Sequence, residues 1–240
     1  YVIEADGVRS PLYRLDVADL PYVKGLELEY RYPAYTGLEP EVFEEGGDIV
    51  ALRGTVVVVR ATLTMPATGG RVLLDGGRSA PMRVLPDGRL AGDIPVEREG
   101  YYSIELTTAD GATHSGSQRY YIDVVDDRAP SVRISRPGHD TRPTNIEEVF
   151  VEVTAEDDFG VARVELVYSV NGGEERTVRL VDGGGLRDVA AGHTFYLEEL
   201  DLKAGDLISY YARAVDNSAP SAKSTTSDIF FMNIRPFGRN

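Results

Sequence analysis

Apolar and polar residues alternate through most of this chain. Residues 149–153 (VFVEV) and 161–168 (VARVELVY) put them on successive positions, and 55–63 (TVVVVRATL) is a β-branched apolar run. A period of two with Val, Ile, Tyr and Thr is the mark of a strand with one face buried. Turn residues separate these runs: Asp75-Gly76-Gly77, Pro86-Asp87-Gly88, Asp110-Gly111 and Asn171-Gly172-Gly173. Asn-Gly and Asp-Gly supply the positive-φ positions of tight hairpin turns. Sustained helical spacing is absent, and one short turn is expected near Glu198 to Lys203. The pattern predicts an all-β protein.

A repeat organises the strands. Three stretches share an aromatic strand, a polar turn, a second strand and an exit at proline: Tyr1 to Pro21, Tyr101 to Pro130 and Tyr210 to Pro236. Each reads as the last hairpin of a β-sandwich, closed by a residue that cannot donate to a ladder. Their spacing of about 100 to 110 residues fits one sandwich per interval. The expected fold is therefore tandem immunoglobulin-like/fibronectin-like β-sandwiches over residues 21–126 and 127–236. Residues 1–20 are expected to be the C-terminal hairpin of a preceding module cut off upstream, either packed on the first module, paired with a neighbouring chain or poorly ordered.

Composition narrows the function. The chain carries 39 Asp and Glu against 25 Lys and Arg, a formal net charge of −14. An acidic surface repels nucleic acid and anionic headgroups, so neither is an expected partner. With no cysteine there are no disulfides, thiolate metal sites or Cys nucleophiles. No apolar run approaches the ~18 residues of a membrane span, so no membrane insertion is expected within this segment, which reads as a piece of a longer protein.

The chain resembles a known group. The run Leu20-Pro21-Tyr22-Val23 to Tyr30-Arg31-Tyr32-Pro33-Ala34-Tyr35-Thr36-Gly37, then Ala155-Glu156-Asp157-Asp158-Phe159-Gly160-Val161, Asn171-Gly172-Gly173, and Tyr210-Tyr211-Ala212-Arg213-Ala214-Val215-Asp216-Asn217 are similar to segments of large bacterial envelope proteins of unassigned activity. Members of that group carry N-terminal membrane helices, tandem immunoglobulin-like domains and a long C-terminal helical region. The resemblance spans nearly the whole chain through structural motifs and brings no catalytic residues. It implies an extracytoplasmic location, in the periplasm or at the cell surface, and a membrane-anchored parent chain.

Candidate chemistry gathers around carboxylates. Asp123, Asp126 and Asp127 precede Ala129-Pro130; Glu156, Asp157 and Asp158 follow a strand of the second module; Asp216 and Asn217 stand where its penultimate strand ends. Calcium takes six to eight oxygen ligands, and Asp126, Asp127, Asp157 and Asp158 are the candidate calcium ligands. Asp126-Asp127-Arg128-Ala129-Pro130 is loosely similar to a cadherin linker, although Arg128 adds a cation, the linker asparagines are missing and the proline stands one place too far. The competing reading is that these acids cap turns.

Other motifs resolve more simply. Asp158-Phe159-Gly160 spells a kinase metal-binding tripeptide, but the remaining kinase motifs are missing. It reads as a turn or bulge with Phe159 inward and Gly160 at a backbone angle that other residues avoid. His114, His139 and His193 are scattered and expected in loops, with no nucleophile elbow nearby. Asp182-Gly183-Gly184-Gly185 is a single copy of what a calcium nonapeptide repeat would reiterate, and reads as a mobile loop. In the pairs Tyr101-Tyr102, Tyr120-Tyr121 and Tyr210-Tyr211, one ring should enter the core while the other stands outside. The segment Tyr30 to Tyr35 must leave its strand by Pro33 and is expected to pack at a module junction.

Together these features point to a non-catalytic structural spacer or protein-interaction arm, with the protein partner unknown. The alternatives are a calcium-stabilised adhesion module and a carbohydrate-binding accessory module of a larger enzyme. The first needs converging acids, the second coplanar exposed Tyr rings. No cofactor is expected apart from that candidate calcium.

Overall fold

In the computed structural model, which describes residues 2–13 and 19–237, the chain forms two compact units. One holds Tyr1–Arg31 and Pro40–Val124, the other Tyr32–Glu39 and Val125–Asn240. Each is an immunoglobulin-like/fibronectin-like β-sandwich.

The first unit opens with a two-stranded hairpin, β1 (Glu4–Ala5) and β2 (Val8–Arg9), turning at Asp6-Gly7. Its body contains β3 (Val23–Arg31), β4 (Glu41–Phe43), β5 (Ile49–Leu52), β6 (Val56–Leu63), β7 (Gly69–Leu74), β8 (Arg78–Val84), β9 (Leu90–Pro95), β10 (Gly100–Thr107), β11 (Thr113–Ser115) and β12 (Tyr120–Val125). Neighbours run β4-β3-β6-β9-β8-β7-β10-β12-β5, with β11 beside β10. Strand β8 serves two groups: residues 78–82 pair with β7, and Arg83 and Val84 pair with β9. Pro81, which has no N–H to give a ladder, stands two residues before the switch.

Alternation places the core. Leu26, Leu28 and Tyr30 from β3, Val57 and Val59 from β6, and Tyr102, Ile104 and Leu106 from β10 are buried. Full burial of one such side chain stabilises the fold by about 1.5–3 kcal/mol. The opposite face of β3 carries charge. Arg60 bonds both Glu27, at 2.7 Å, and Glu29, while Arg89 reaches Glu27 at 2.9 Å and Arg31 reaches Glu29 at 2.6 Å. For Glu27, burial pushes upward, but the bonds from Arg60 and Arg89 outweigh it and hold the carboxyl below its usual range.

In the second unit, β13 (Ser131–Arg136), β14 (Glu148–Val170), β15 (Arg176–Tyr196), β16 (Leu207–Asp216), β17 (Ser224–Thr226) and β18 (Phe230–Asn233) form the sandwich. Strand β14 runs 23 residues. Its first half pairs with β13 and its second with β16, while β15 follows it on the other side throughout. Residues 149–153 and 161–168, which alternation alone separates into two strands, are thus one strand bent at 157–160. The core contains Val151, Val153, Leu166, Phe195, Ile208, Tyr210 and Met232.

Several sequence expectations change here. Asp182–Gly185 is not a loop but part of β15, carried by positive φ at Gly183, Gly184 and Gly185. His114 lies on β11 and His193 on β15, leaving His139 outside regular structure. The short turn is a 3-10 segment, Leu197–Leu200. Residues Tyr32–Glu39, just past β3, cluster with the second unit.

Both units finish alike. Strand β10 pairs with β11 and then β12; β16 pairs with β17 and then β18. Where the closing strand breaks, a serine fills the ladder. Ser117 Oγ accepts from Ile104 N at 2.8 Å, and Ser227 Oγ accepts from Ala212 N at 2.9 Å. Each hydroxyl donates onward to the next carbonyl, of Gln118 and of Asp228, both at 2.7 Å. Ile104 and Ala212 are fully buried, so without the serines their N–H groups would be orphaned.

Candidate functional site

The bend of β14 builds the place where the candidate acids meet. Asp157 Oδ2 accepts from Phe159 N at 3.0 Å and Gly160 N at 2.7 Å, capping the two amides that the bulge releases from the ladder. Gly160 has φ of 132°, a conformation that L side chains rarely adopt. Asn217, just past the end of β16, completes the corner: its N–H reaches Gly160 O at 3.0 Å, and Nδ2 donates to Phe159 O and to Tyr35 O, each at 3.0 Å. The Tyr35 ring meets Phe159 edge to face, with centroids 6.0 Å apart. Phe159 is half-buried rather than fully inward.

Asp216 organises the following loop. Its Oδ1 accepts from Ser218 N at 3.2 Å, Ser218 Oγ at 2.8 Å and Lys223 N at 2.8 Å. The Lys223 ammonium then lies 2.6 Å from Asp127 Oδ2, 3.4 Å from Asp216 Oδ2 and 3.2 Å from Ser218 Oγ. The Asp127 and Asp216 side chains are 8% and 1% exposed, so this lysine neutralises two buried carboxylates. Burial works to lower the Lys223 pKa, yet the hydrogen bond and charge of Asp127, with the charge of Asp216, raise it above the usual lysine value. Asp158 is raised above the usual carboxylate range by burial first, then by the charges of Asp127 and Asp157.

The structure therefore brings Asp127, Asp157 and Asp158 into one electrostatic neighbourhood and leaves Asp126 exposed beside it. Among the described residues, no three His, Asp or Glu side chains stand in a geometry that could hold a metal ion. Asp127 Oδ1 and Asp157 Oδ1 are buried without a hydrogen-bond partner. Sequence reasoning missed Lys223, the cation of the cluster. Its signal was faint: it is one of three lysines in a chain whose other cations are arginines.

The second unit also carries two open recesses. One, of about 390 Å³, is bordered by Arg128, Glu156, Asp157, Asp158, Arg187 and Asp188, with both charge signs interspersed. The other, of about 400 Å³, is bordered by Tyr168, Val178, His193, Phe195, Tyr196 and Glu199, and burial holds His193 below its usual value. His193 packs edge to face on Phe195 at 4.9 Å, which places it in the aromatic packing of the core.

The paired tyrosines divide between interior and surface. Tyr102 and Tyr210 are buried, while Tyr101 is 44% exposed and Tyr121 37%. The two outer rings meet at 60° with centroids 5.2 Å apart, and the Arg119 guanidinium covers Tyr101 at 4.5 Å. They do not form the coplanar platform on which a sugar ring stacks.

No protein-family model matches this chain, and no curated protein matches it. Solved structures that resemble it include fibronectin(III)-like modules of Clostridium thermocellum CbhA, at 17% identity over 79% of this chain and 90% of that one, with a TM-score of 0.28. A complex of Dpr11 IG1 with DIP-gamma IG+IG2 resembles it at 11% identity over 79% and 95%, TM-score 0.28. A chimeric titin Z1Z2-Z1Z2 tandem does so at 14% identity over 79% and 95%, TM-score 0.30. Strand order and core, rather than these slight likenesses, define each unit as a sandwich.

Proposed function

We propose that the chain is a non-catalytic structural spacer or protein-interaction arm of a larger, membrane-anchored bacterial envelope protein, working outside the cytoplasm. The observation that carries this reading is the internal closure of the acidic cluster. Lys223 neutralises Asp127 and Asp216, and one oxygen of Asp157, Oδ2, is occupied with the backbone amides of a bulge. Groups that serve a reaction are held open toward a substrate; these are bonded to the fold. Among the described residues, no helix is long and apolar enough to cross a membrane; in this reading the anchor belongs to the parent protein.

An exchange experiment separates spacer from interaction arm. In the parent protein, residues 21–236 are replaced by two unrelated tandem β-sandwiches of similar length. Recovery of the deletion phenotype supports a spacer. Recovery only with the native sequence supports a specific surface. Loss of turnover of any substrate by the parent after conservative substitution of Asp127 or Asp158 would remove the non-catalytic reading.

A second reading, calcium stabilisation through Asp126, Asp127, Asp157 and Asp158, rests on the two buried carboxylate oxygens without hydrogen-bond partners, and requires these side chains to move into a ligating arrangement that they do not have here. Calcium at a hundred times its dissociation constant would stabilise the fold by about 2.7 kcal/mol. Thermal unfolding in excess calcium and in chelator tests it: identical curves dismiss this reading, and a shift abolished by Asp126→Asn with Asp127→Asn establishes it.

A further inference from the structure

The serine that closes each sandwich occurs a third time. Ser10 Oγ accepts from Ile3 N at 2.9 Å and donates to the Pro11 carbonyl at 3.0 Å, as Ser117 and Ser227 do with their own neighbours. Ser10 N also returns to Ile3 O at 2.8 Å, matching Ser227 N to Ala212 O at 2.9 Å. The sequence continues in step. Three residues after each serine come Tyr13, Tyr120 and Phe230; five after, Leu15, Ile122 and Met232; seven after, Val17, Val124 and Ile234. The serines recur at intervals of about 110 residues.

What differs is the surroundings. Ile104 and Ala212 are fully buried, whereas Ile3, in the same role, is 61% exposed, and none of residues 2–13 is buried. A hydroxyl that completes a ladder matters where water cannot reach the N–H. Here the geometry of an interior stands on a surface. In both complete units, the strands that cover this face precede the hairpin in sequence: β3 to β9 before β10, and β13 to β15 before β16.

We propose that the hairpin described within residues 2–13 belongs to the closing strands of a third β-sandwich of the same kind, and that the face bearing Ile3 is the docking surface for that sandwich's other strands. Those strands are supplied by the longer protein's sequence immediately N-terminal to this segment. The occupant is thus an alternating apolar–polar set of strands from the same chain.

Hydrogen exchange at residues 2–13 tests this in two proteins: the 240-residue chain, and the chain extended upstream by about 100 native residues, one sandwich interval. The Ile3 amide is expected to exchange at least about a hundredfold more slowly in the extended chain. Ile3→Asp should leave the melting of the 240-residue chain unchanged and abolish one unfolding transition of the extended one. Ser10→Ala, a milder change, should lower that same transition without abolishing it. Three results would overturn the proposal: equal exchange in both proteins; a lowered melting temperature of the 240-residue chain with Ile3→Asp, which would put the hairpin on the first unit; or a dimer of the 240-residue chain that Ile3→Asp returns to monomer, which would make a second copy the occupant.

Discussion

A Cβ on Gly160 would stand 2.4 Å from the carbonyl oxygen of Gly185 and 2.9 Å from its Cα. The two glycines meet because β14 and β15 are irregular at the same level, one at 157–160 and the other at 182–185, so that the paired ribbon bends as a unit. Gly160→Ala adds both a clash with main chain and a backbone angle that alanine avoids. The expected cost is about 3 kcal/mol, read by chemical denaturation as a loss confined to the second unit. A change within experimental error would mean that the corner is not as tightly closed as the distances imply.

The closing serines carry a second prediction. Ser227→Ala leaves the buried Ala212 N–H without its acceptor, and Ser117→Ala does the same to Ile104. Each should destabilise its own unit by about 1–3 kcal/mol. Denaturant unfolding of the two variants should show separate units affected. Restoring a hydroxyl with Thr should recover part of the loss.

Lys223→Met removes the ammonium between Asp127 and Asp216. Because both acids are buried while the lysine is partly solvated, the expected loss is about 2 kcal/mol at neutral pH. Adding Asp127→Asn should return much of it by removing one unpaired charge. With a folded pKa above its unfolded one, Lys223 contributes its stability throughout the neutral range and loses it as pH rises through the raised value. The wild-type advantage, measured as a difference in melting temperature, should therefore persist to alkaline pH and shrink only beyond the ordinary lysine range.

Asp158 has the opposite sense. Its raised pKa means that the folded state favours the protonated form, so stability declines as pH rises from the ordinary value of 3.8 through the raised one. Asp158→Asn removes that penalty. The variant should melt above wild type at pH 7 and match it near pH 3. A lower melting temperature at pH 7 would show that the ionised carboxylate is stabilising, as a bound cation would make it.

Much of the fold was legible in the residues, because strand and hairpin signals are local. The period of two in 149–153 determined which face is buried, whereas in 161–168 Glu165 and Val167 are buried as well as Val164 and Leu166 on the opposite face. Asn171 and Gly172, both at positive φ, determined the β14–β15 turn, and Pro33 ensured that β3 ends before it, at Arg31. The tyrosine pairs were expected to split between core and surface, and Tyr101 and Tyr102 do. Even the repeat was visible, although adjacent tyrosines invited an alignment of Tyr101 with Tyr210; the serine bonds show that Tyr102 is the true equivalent, since Ile104 and Ala212 hold the same place two residues later.

Only the tertiary structure decided the rest. Alternation cannot reveal that 148–170 is a single strand, because a bulge interrupts the period just as a loop would. Nor could composition separate a loop at Asp182–Gly185 from a strand whose positive-φ glycines follow a bent partner. The acids were easy to find and their meaning was not. With 39 of them, proximity in sequence selects nothing, and Lys223, 96 residues from Asp127, becomes their counter-charge only when the end of β16 and the loop after it return beside residues 125–130. Local chemistry fixes an element's type, while the pairing of distant charges depends on which elements the core draws together.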